Sequence, residues 1–311
     1  MTALEDADVF RSFLQEHFPA AKQTHPTEGR RKLKLRVLEE FWSLTPEQRA
    51  ALPASQAIDA ELLVYGDPHD DIAGPDVPAP GILVRTDFSD DAAWSAFYKT
   101  LLEAEKDFTS AQDDAEPTDA EMTPADEAGS SAPAPASGDA EMAENEDEDE
   151  EEEEPLGFFS VLDPEDLAEQ ARLTGISNLT ALHMLNDASV RAAPPVPQGE
   201  KRVRPGNRLV DLNGLQEVYS GKTLWIYDAK SNSDQSVRMV NQQGDMYGTA
   251  TGDSWRARAS HITELQVNIA SGAMKIDFGG MDRWDYPQRQ RNLAEASQPI
   301  NFSPDPKWIA D

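Results

Sequence analysis

Hydrophobic residues at the start of the chain recur at helical spacing. Val9, Phe10, Phe13, Leu14 and Phe18 share one face and Pro19 follows directly, a pattern that predicts a helix closing near residue 18. Leu33, Val37, Leu38, Phe41 and Trp42 form a second stripe, flanked by Lys32, Lys34, Arg36, Glu39 and Glu40, and predict a helix over 31–44. Thr45-Pro46-Glu47-Gln48 places a capping residue before proline at the first helical position, which opens a short third helix from Glu47 to Leu52. The period changes at Gly81. Ile82-Leu83-Val84-Arg85-Thr86-Asp87-Phe88 is an almost continuous apolar run, as expected of a central strand covered on both faces. Ala93, Trp94, Phe97, Tyr98, Leu101 and Leu102 return to helical spacing behind Ser89 or Asp90 as cap, with Asp90 and Asp91 at the positive end of the helix.

The second half of the chain repeats these patterns. Phe158–Leu162 predicts a strand, 164–173 a helix and 175–190 another helix. Thr223–Asp228 is a second continuous apolar strand, Ser236–Val240 alternates as its neighbour, 255–259 alternates again, and Ile262–Ile269 is amphipathic. Trp225, Tyr227, Trp255 and Trp284 are read as core and edge positions. The order of elements predicts an α/β fold: one mixed-sheet domain built from 81–108 and 156–286. A helical unit (1–66) and a linker (67–80) precede it, an insert (109–155) interrupts it, and a polar tail (287–311) follows.

The insert is Ala, Pro, Ser, Asp and Glu with almost nothing apolar to bury, and it ends in an unbroken acidic run from Glu146 to Glu154. Such a segment cannot offset an ordering cost of roughly 1–2 kcal/mol per residue for the backbone alone, so disorder is expected. The sheet tolerates it because loop-closure cost grows only with the logarithm of length. Of 58 acidic and 27 basic residues, net −31, Leu101 to Pro155 holds 22 acids and one base, which leaves −10 for the remaining chain. From Arg191 to Asp311 the balance is 15 bases to 14 acids. Acidity this local argues against attraction to nucleic acid or anionic lipid. It suits a protein partner with a basic surface, such as histone tails, or the chain's own Lys201, Arg202, Arg204 and Arg208. Cysteine is absent, which excludes a disulfide framework and thiolate zinc sites. The opening residues MTALEDADVF lack the basic and apolar regions of a signal peptide. No stretch approaches the roughly 20 apolar residues of a membrane helix, and a cytoplasmic or nuclear location is expected.

Arg85-Thr86-Asp87-Phe88, with Asp90-Asp91 and Trp94 following, resembles the uncharacterised RTDF domain family of unknown function. Asp228 at the end of a middle strand, and Ile262, Leu265 and Asn268 in a late segment, extend the resemblance over most of 81–286, with the acidic insert as the departure. The resemblance implies the fold and carries no activity. Residues 9–52 are similar to a high-mobility-group box through Phe13–His17, His25-Pro26 and Leu38–Arg49. That likeness implies DNA bending, which rests on phosphate neutralisation by Lys and Arg. Residues 1–65 depart from it with eight bases against ten acids and a short third helix. The alternative is a small helical bundle docked on the main domain.

No catalytic constellation, metal site or cofactor motif is found. Gly248–Ser254 has three residues between its glycines where a phosphate loop needs four and a following lysine. His261 and Glu264 lie three apart near Arg256 and Arg258; this could be a base with its orienting carboxylate, or a capping or salt-bridged pair. Asp87 and Asp228 both end apolar strands, and α/β sheets hold ligands at the carboxyl ends of their strands. If those strands are adjacent and parallel, the two aspartates face one crevice with Arg85 nearby; otherwise they are caps or turn formers. Asp87, Asp228, Arg85, Arg256 and His261 are the ligand-binding candidates. Three readings result: an interaction protein acting through the insert and N-terminal helices, an enzyme or small-ligand binder with that crevice, and a chromatin protein.

Overall fold

A computed structural model describes residues 9–53, 66–113, 157–195, 206–244, 249–276 and 285–302. The N-terminal stripes become α1 (Val9–Thr24), α2 (Arg30–Ser43) and α3 (Pro46–Ala50), followed by a single turn, α4 (Asp70–Ala73). Then come β1 (Gly81–Arg85), α5 (Asp91–Asp113), β2 (Phe159–Leu162), α6 (Leu167–Leu173), α7 (Asn178–Leu185) and the strands β3 (Asp187–Ala192) and β4 (Leu215–Ser220). The chain continues through β5 (Thr223–Tyr227), α8 (Ala229–Asp234), β6 (Ser236–Val240), β7 (Ser254–Arg258), a 3-10 turn (Ala259–His261), α9 (Ile262–Ala270) and α10 (Tyr286–Glu295).

The two most apolar runs of the sequence are neighbours at the centre of a five-stranded mixed sheet ordered β2-β1-β5-β6-β7. β1 is parallel to both β2 and β5, with Gly81 opposite Thr223 and Arg85 opposite Tyr227, while β6 and β7 run antiparallel. Period-two alternation sends Ile82, Val84, Leu224 and Ile226 to one face and Leu83, Trp225 and Tyr227 to the other, and all seven are buried. That two-sided cover is why these strands read as unbroken apolar runs. On the second face Trp94, Phe97 and Leu101 of α5 and Ile262 of α9 close the core. Gly81 stands where that core is tightest: a Cβ there would lie 2.8 Å from Gln266 Oε1 and 3.0 Å from the Phe159 ring. On the first face α7 packs against β5, while α1 and α2 pack on β3 of the separate antiparallel pair β3-β4 and α2 on α7, all in one hydrophobic cluster with that face.

α2 reaches this interior although it is rich in cations. Arg30, Arg31 and Lys34 are buried and pair with Asp70 (3.2 Å), Asp67 (2.6 Å) and Asp187 (2.7 Å). The segment read as a linker therefore supplies two counter-charges and the turn α4. α1 runs on through Pro19 to Thr24, because burial of Phe18 and Ala21 outweighs the one intrahelical bond that proline forfeits.

Three further elements differ from the sequence expectation. Within 175–190 the helix occupies only Asn178–Leu185, and Asp187–Ala192 is a strand whose Ala188 and Val190 point inward. Its partner β4 was not predicted, since its inward residues include Gln216 and Glu217, both fully buried. Within the segment read as a polar tail, α10 docks through Arg289, Asn292 and Leu293. Asn292 Nδ2 donates to Gly252 O, and Arg289 pairs with buried Asp253. α5 also extends to Asp113, past the point at which the insert was expected to begin. No helix among the described residues is long and apolar enough to cross a membrane.

Candidate functional site

Where β1 and β5 end, the backbone opens. Thr86 N and Thr86 Oγ1 both donate to Tyr227 O at 2.8 Å, so the strands diverge just beyond that point, at Asp87 and Asp228. Between them lies a crevice of about 230 Å3, lined among others by Thr86, Asp87, Gly175, Asp228, Lys230 and Arg238, with Gln288 and Arg291 arriving from α10. It opens on the α7 face of the sheet, since Thr86 continues the alternation of Ile82 and Val84.

Both aspartates are already engaged. Asp228 caps α8, accepting from Lys230 N at 3.1 Å and Ser231 N at 3.2 Å. It is also clamped by Arg256, whose Nη2 lies 2.6 Å from Oδ1 and whose Nη1 lies 3.1 Å from Oδ2. Asp87 accepts from Ser89 N (3.0 Å), Ser89 Oγ (2.5 Å) and Asn232 Nδ2 (2.9 Å). Burial acts to raise its pKa, but the Ser89 and Asn232 hydrogen bonds and the nearby Arg85 charge prevail and hold it below the usual carboxylate value. Asp228 is thus engaged on both oxygens and Asp87 on Oδ1, which makes them cap and turn formers. Neither is placed as a general base.

Of the five candidates, Asp87 and Asp228 line the crevice, Arg256 fixes Asp228 from β7, and Arg85 and His261 lie outside its walls. Arg85 shares the parity of Leu83 and therefore faces α5. There it lies against Phe88 and Trp94, 4.9 and 5.2 Å from their centroids, and pairs with Asp91 and Asp163. His261 ends the 3-10 turn and is exposed, with Ser260 Oγ 2.8 Å from its Nδ1. Its neighbours Ala259 and Ile262 pack on the α5 face, opposite to the crevice.

The cations of the crevice were missed. Arg238 is 1% exposed and stands directly across from Arg256 in the β6-β7 pair. Like charges in that register repel, and Asp228 lies between them, with Arg238 Nε 3.3 Å from Oδ2. Burial lowers the Arg238 pKa to about 10 even though Asp228 and Asp285 act to raise it. Its Nη1 has no hydrogen-bond partner among the described residues, nor has Gln288 Oε1. The available sequence signal was a lone arginine at an inward position of an otherwise apolar strand. No group of three or more His, Asp or Glu able to hold a metal ion occurs among the described residues. Asn178 of Asn178-Leu179-Thr180, a sequence of the glycosylation-acceptor form, is fully buried and donates to Gly252 O.

Compared with models of protein families, with characterised proteins and with solved structures, the chain matches none.

Proposed function

We propose that the sheet domain binds a small oxyanion, a carboxylate or phosphate group, in the crevice between β1 and β5. The observation that carries this reading is Arg238, a buried guanidinium lining the crevice with a donor left unpaired. A buried donor without a partner costs roughly 1–3 kcal/mol, which an anionic acceptor would recover. Lys230 and Arg291 line the same opening, paired with Asp234 and Glu295, and Asp228 is held on both oxygens, so the unmet need of the site lies at Arg238 Nη1, a donor that an anion would satisfy. Gln288 Oε1, an unpaired acceptor, favours an anion that keeps one hydroxyl, such as hydrogen phosphate or a hydroxy acid. Isothermal titration of the full chain with inorganic phosphate and with malate tests this. Saturable binding of at least one, weakened by salt and lost in Arg238→Met, is expected. Absence of binding for both, or equal binding by the variant, would remove the reading.

A second reading concerns the acidic segment, proposed to contact basic protein surfaces through charge rather than sequence. It is supported by the way the fold closes at the segment's base: Phe108 and Phe158 meet edge to face at 5.6 Å, and Glu105 accepts from Phe158 N. The residues between can therefore serve a partner without carrying the fold. Binding to a lysine-rich peptide should survive scrambling of 139–154 and vanish when its glutamates become glutamines, with salt weakening it over a Debye length of about 8 Å. Loss on scrambling alone would point to a specific motif. DNA bending is disfavoured on this reading, since Arg30, Arg31 and Lys34 are buried against aspartates. Lys201, Arg202 and Arg204 lie outside the described residues, and Arg208 pairs with Glu39 and Glu217.

A further inference from the structure

A second cavity shares no lining residue with the crevice and is more than twice its size. It measures about 500 Å3 and lies between α2, the loop before α4, α6, α7 and the chain that follows α10. Small-molecule sites fall in the range of roughly 300–1,000 Å3. Leu35 and Leu179 form its buried apolar wall, and half-exposed Met184, Ile300 and Phe302 continue that wall outward.

Its charged groups cancel. Arg31 pairs with Asp67 at 2.6 Å, Arg172 with Glu169 at 3.0 Å, and Lys32 with Glu28 at 3.7 Å. Arg208 is held by Glu39 and Glu217, and Glu295 accepts from Ser177 Oγ and from Arg291. A charged ligand would enter a site with no counter-charge to spare, and burying an unpaired charge is costly. Arg31 Nε and Arg208 Nε also lack a hydrogen-bond partner among the described residues, but both guanidiniums are held in ion pairs; the neutral group left open is His183. Its side chain lines the cavity and its Nε2 is buried with no hydrogen-bond partner among the described residues. Burial, helped by the Arg208 charge, drives its pKa down to about 3, so the ring is neutral near pH 7. A neutral imidazole nitrogen is a donor in one tautomer and an acceptor in the other, and a hydroxyl answers both.

We propose that this cavity is a second ligand site, which takes a neutral, largely apolar molecule bearing one hydroxyl or phenol group, with that group against the imidazole of His183. The matched probes are 9-phenanthrol, phenanthrene and phenanthrene-9-carboxylate, titrated into the full chain and followed by their own fluorescence. Phenanthrol should bind saturably and about tenfold more tightly than phenanthrene, the increment of one hydrogen bond, and the carboxylate should bind weakest. His183→Phe should erase the difference between phenanthrol and phenanthrene and leave phenanthrene binding unchanged. Met184→Trp, which fills the cavity from its half-exposed wall, should weaken both. Arg238→Met, in the separate crevice, should alter neither, so failure of the oxyanion reading would not touch this one. Four results would each overturn the proposal: no saturable phenanthrol binding, tightest binding of the carboxylate, indifference to Met184→Trp, or binding only to a chain ending at Phe302. The last would make residues 303–311 the natural occupant.

Discussion

Glu217 shows how a single polar residue can be a core residue here. It is fully buried in β4, and it accepts from Trp42 Nε1 at 2.8 Å and from the Tyr219 hydroxyl at 2.5 Å beside the Arg208 guanidinium. Asp253 is the comparable case under α10. Burial raises its pKa to about 7, against the lowering effects of Arg289 and the Ala250 N–H. The folded state thus keeps this proton up to about pH 7, whereas the unfolded chain releases it near 4. The stability it contributes is complete below about pH 4 and is lost as pH rises to about 7, by up to about 1.4 kcal/mol per unit. Asp253→Asn cannot titrate. Between pH 5 and pH 8 the wild type should therefore lose about 2–3 kcal/mol relative to this variant in urea unfolding, whatever constant offset separates them. Parallel stability curves would show that the carboxylate stays ionised beside Arg289 throughout.

At the scale of elements, the crossover from β1 through α5 to β2 carries the acidic segment, and its two ends are tied together before the segment begins. Replacing residues 116–154 with about ten Gly and Ser residues shortens the loop by roughly two doublings, which should stabilise the fold by about 1 kcal/mol. A higher urea midpoint with an unchanged slope is the expected result. Unfolding on replacement would make the segment structural. α10 is the opposite kind of element, barely apolar and held by side chains that reach backbone: Asn292 on Gly252, and Asn207 on Leu293.

At the scale of the molecule, α1 and α2 supply much of the hydrophobic cluster on one side of the sheet, packed on β3 and α7. Phe10, Phe13, Phe18, Leu33, Leu38 and Phe41 are each at most 4% exposed, in one cluster with Leu179, Leu182 and Val190. Burial of such side chains is worth roughly 1.5–3 kcal/mol apiece, so their sum rivals the 5–15 kcal/mol stability of an ordinary domain. A chain starting at residue 67 is accordingly expected to lose cooperative unfolding and near-ultraviolet circular dichroism. A sharp transition from that chain would mark the helices as a separable unit.

What the sequence determined by itself was whatever repeats with a local period. The stripes of α1, α2 and α5, the two-faced runs of β1 and β5, and the existence of strands β6 and β7 were legible because burial of apolar side chains writes a period of 3.6 or 2 into the chain, although β6 is buried on both faces rather than alternating. The crevice was half legible: Asp87 and Asp228 end apolar strands, and pairing in parallel brought them together. Arg238, Gln216, Glu217, Arg289 and Asn292 were not legible, because a pattern of apolar and polar positions assigns polar residues to water. Only the tertiary structure decided that they lie inside, since each needs partners from outside its own strand or helix: Trp42 for Glu217, Asp228 for Arg238, Asp253 for Arg289. A buried polar group is stable only where such partners converge, and their convergence depends on the packing of the whole chain rather than on any local period.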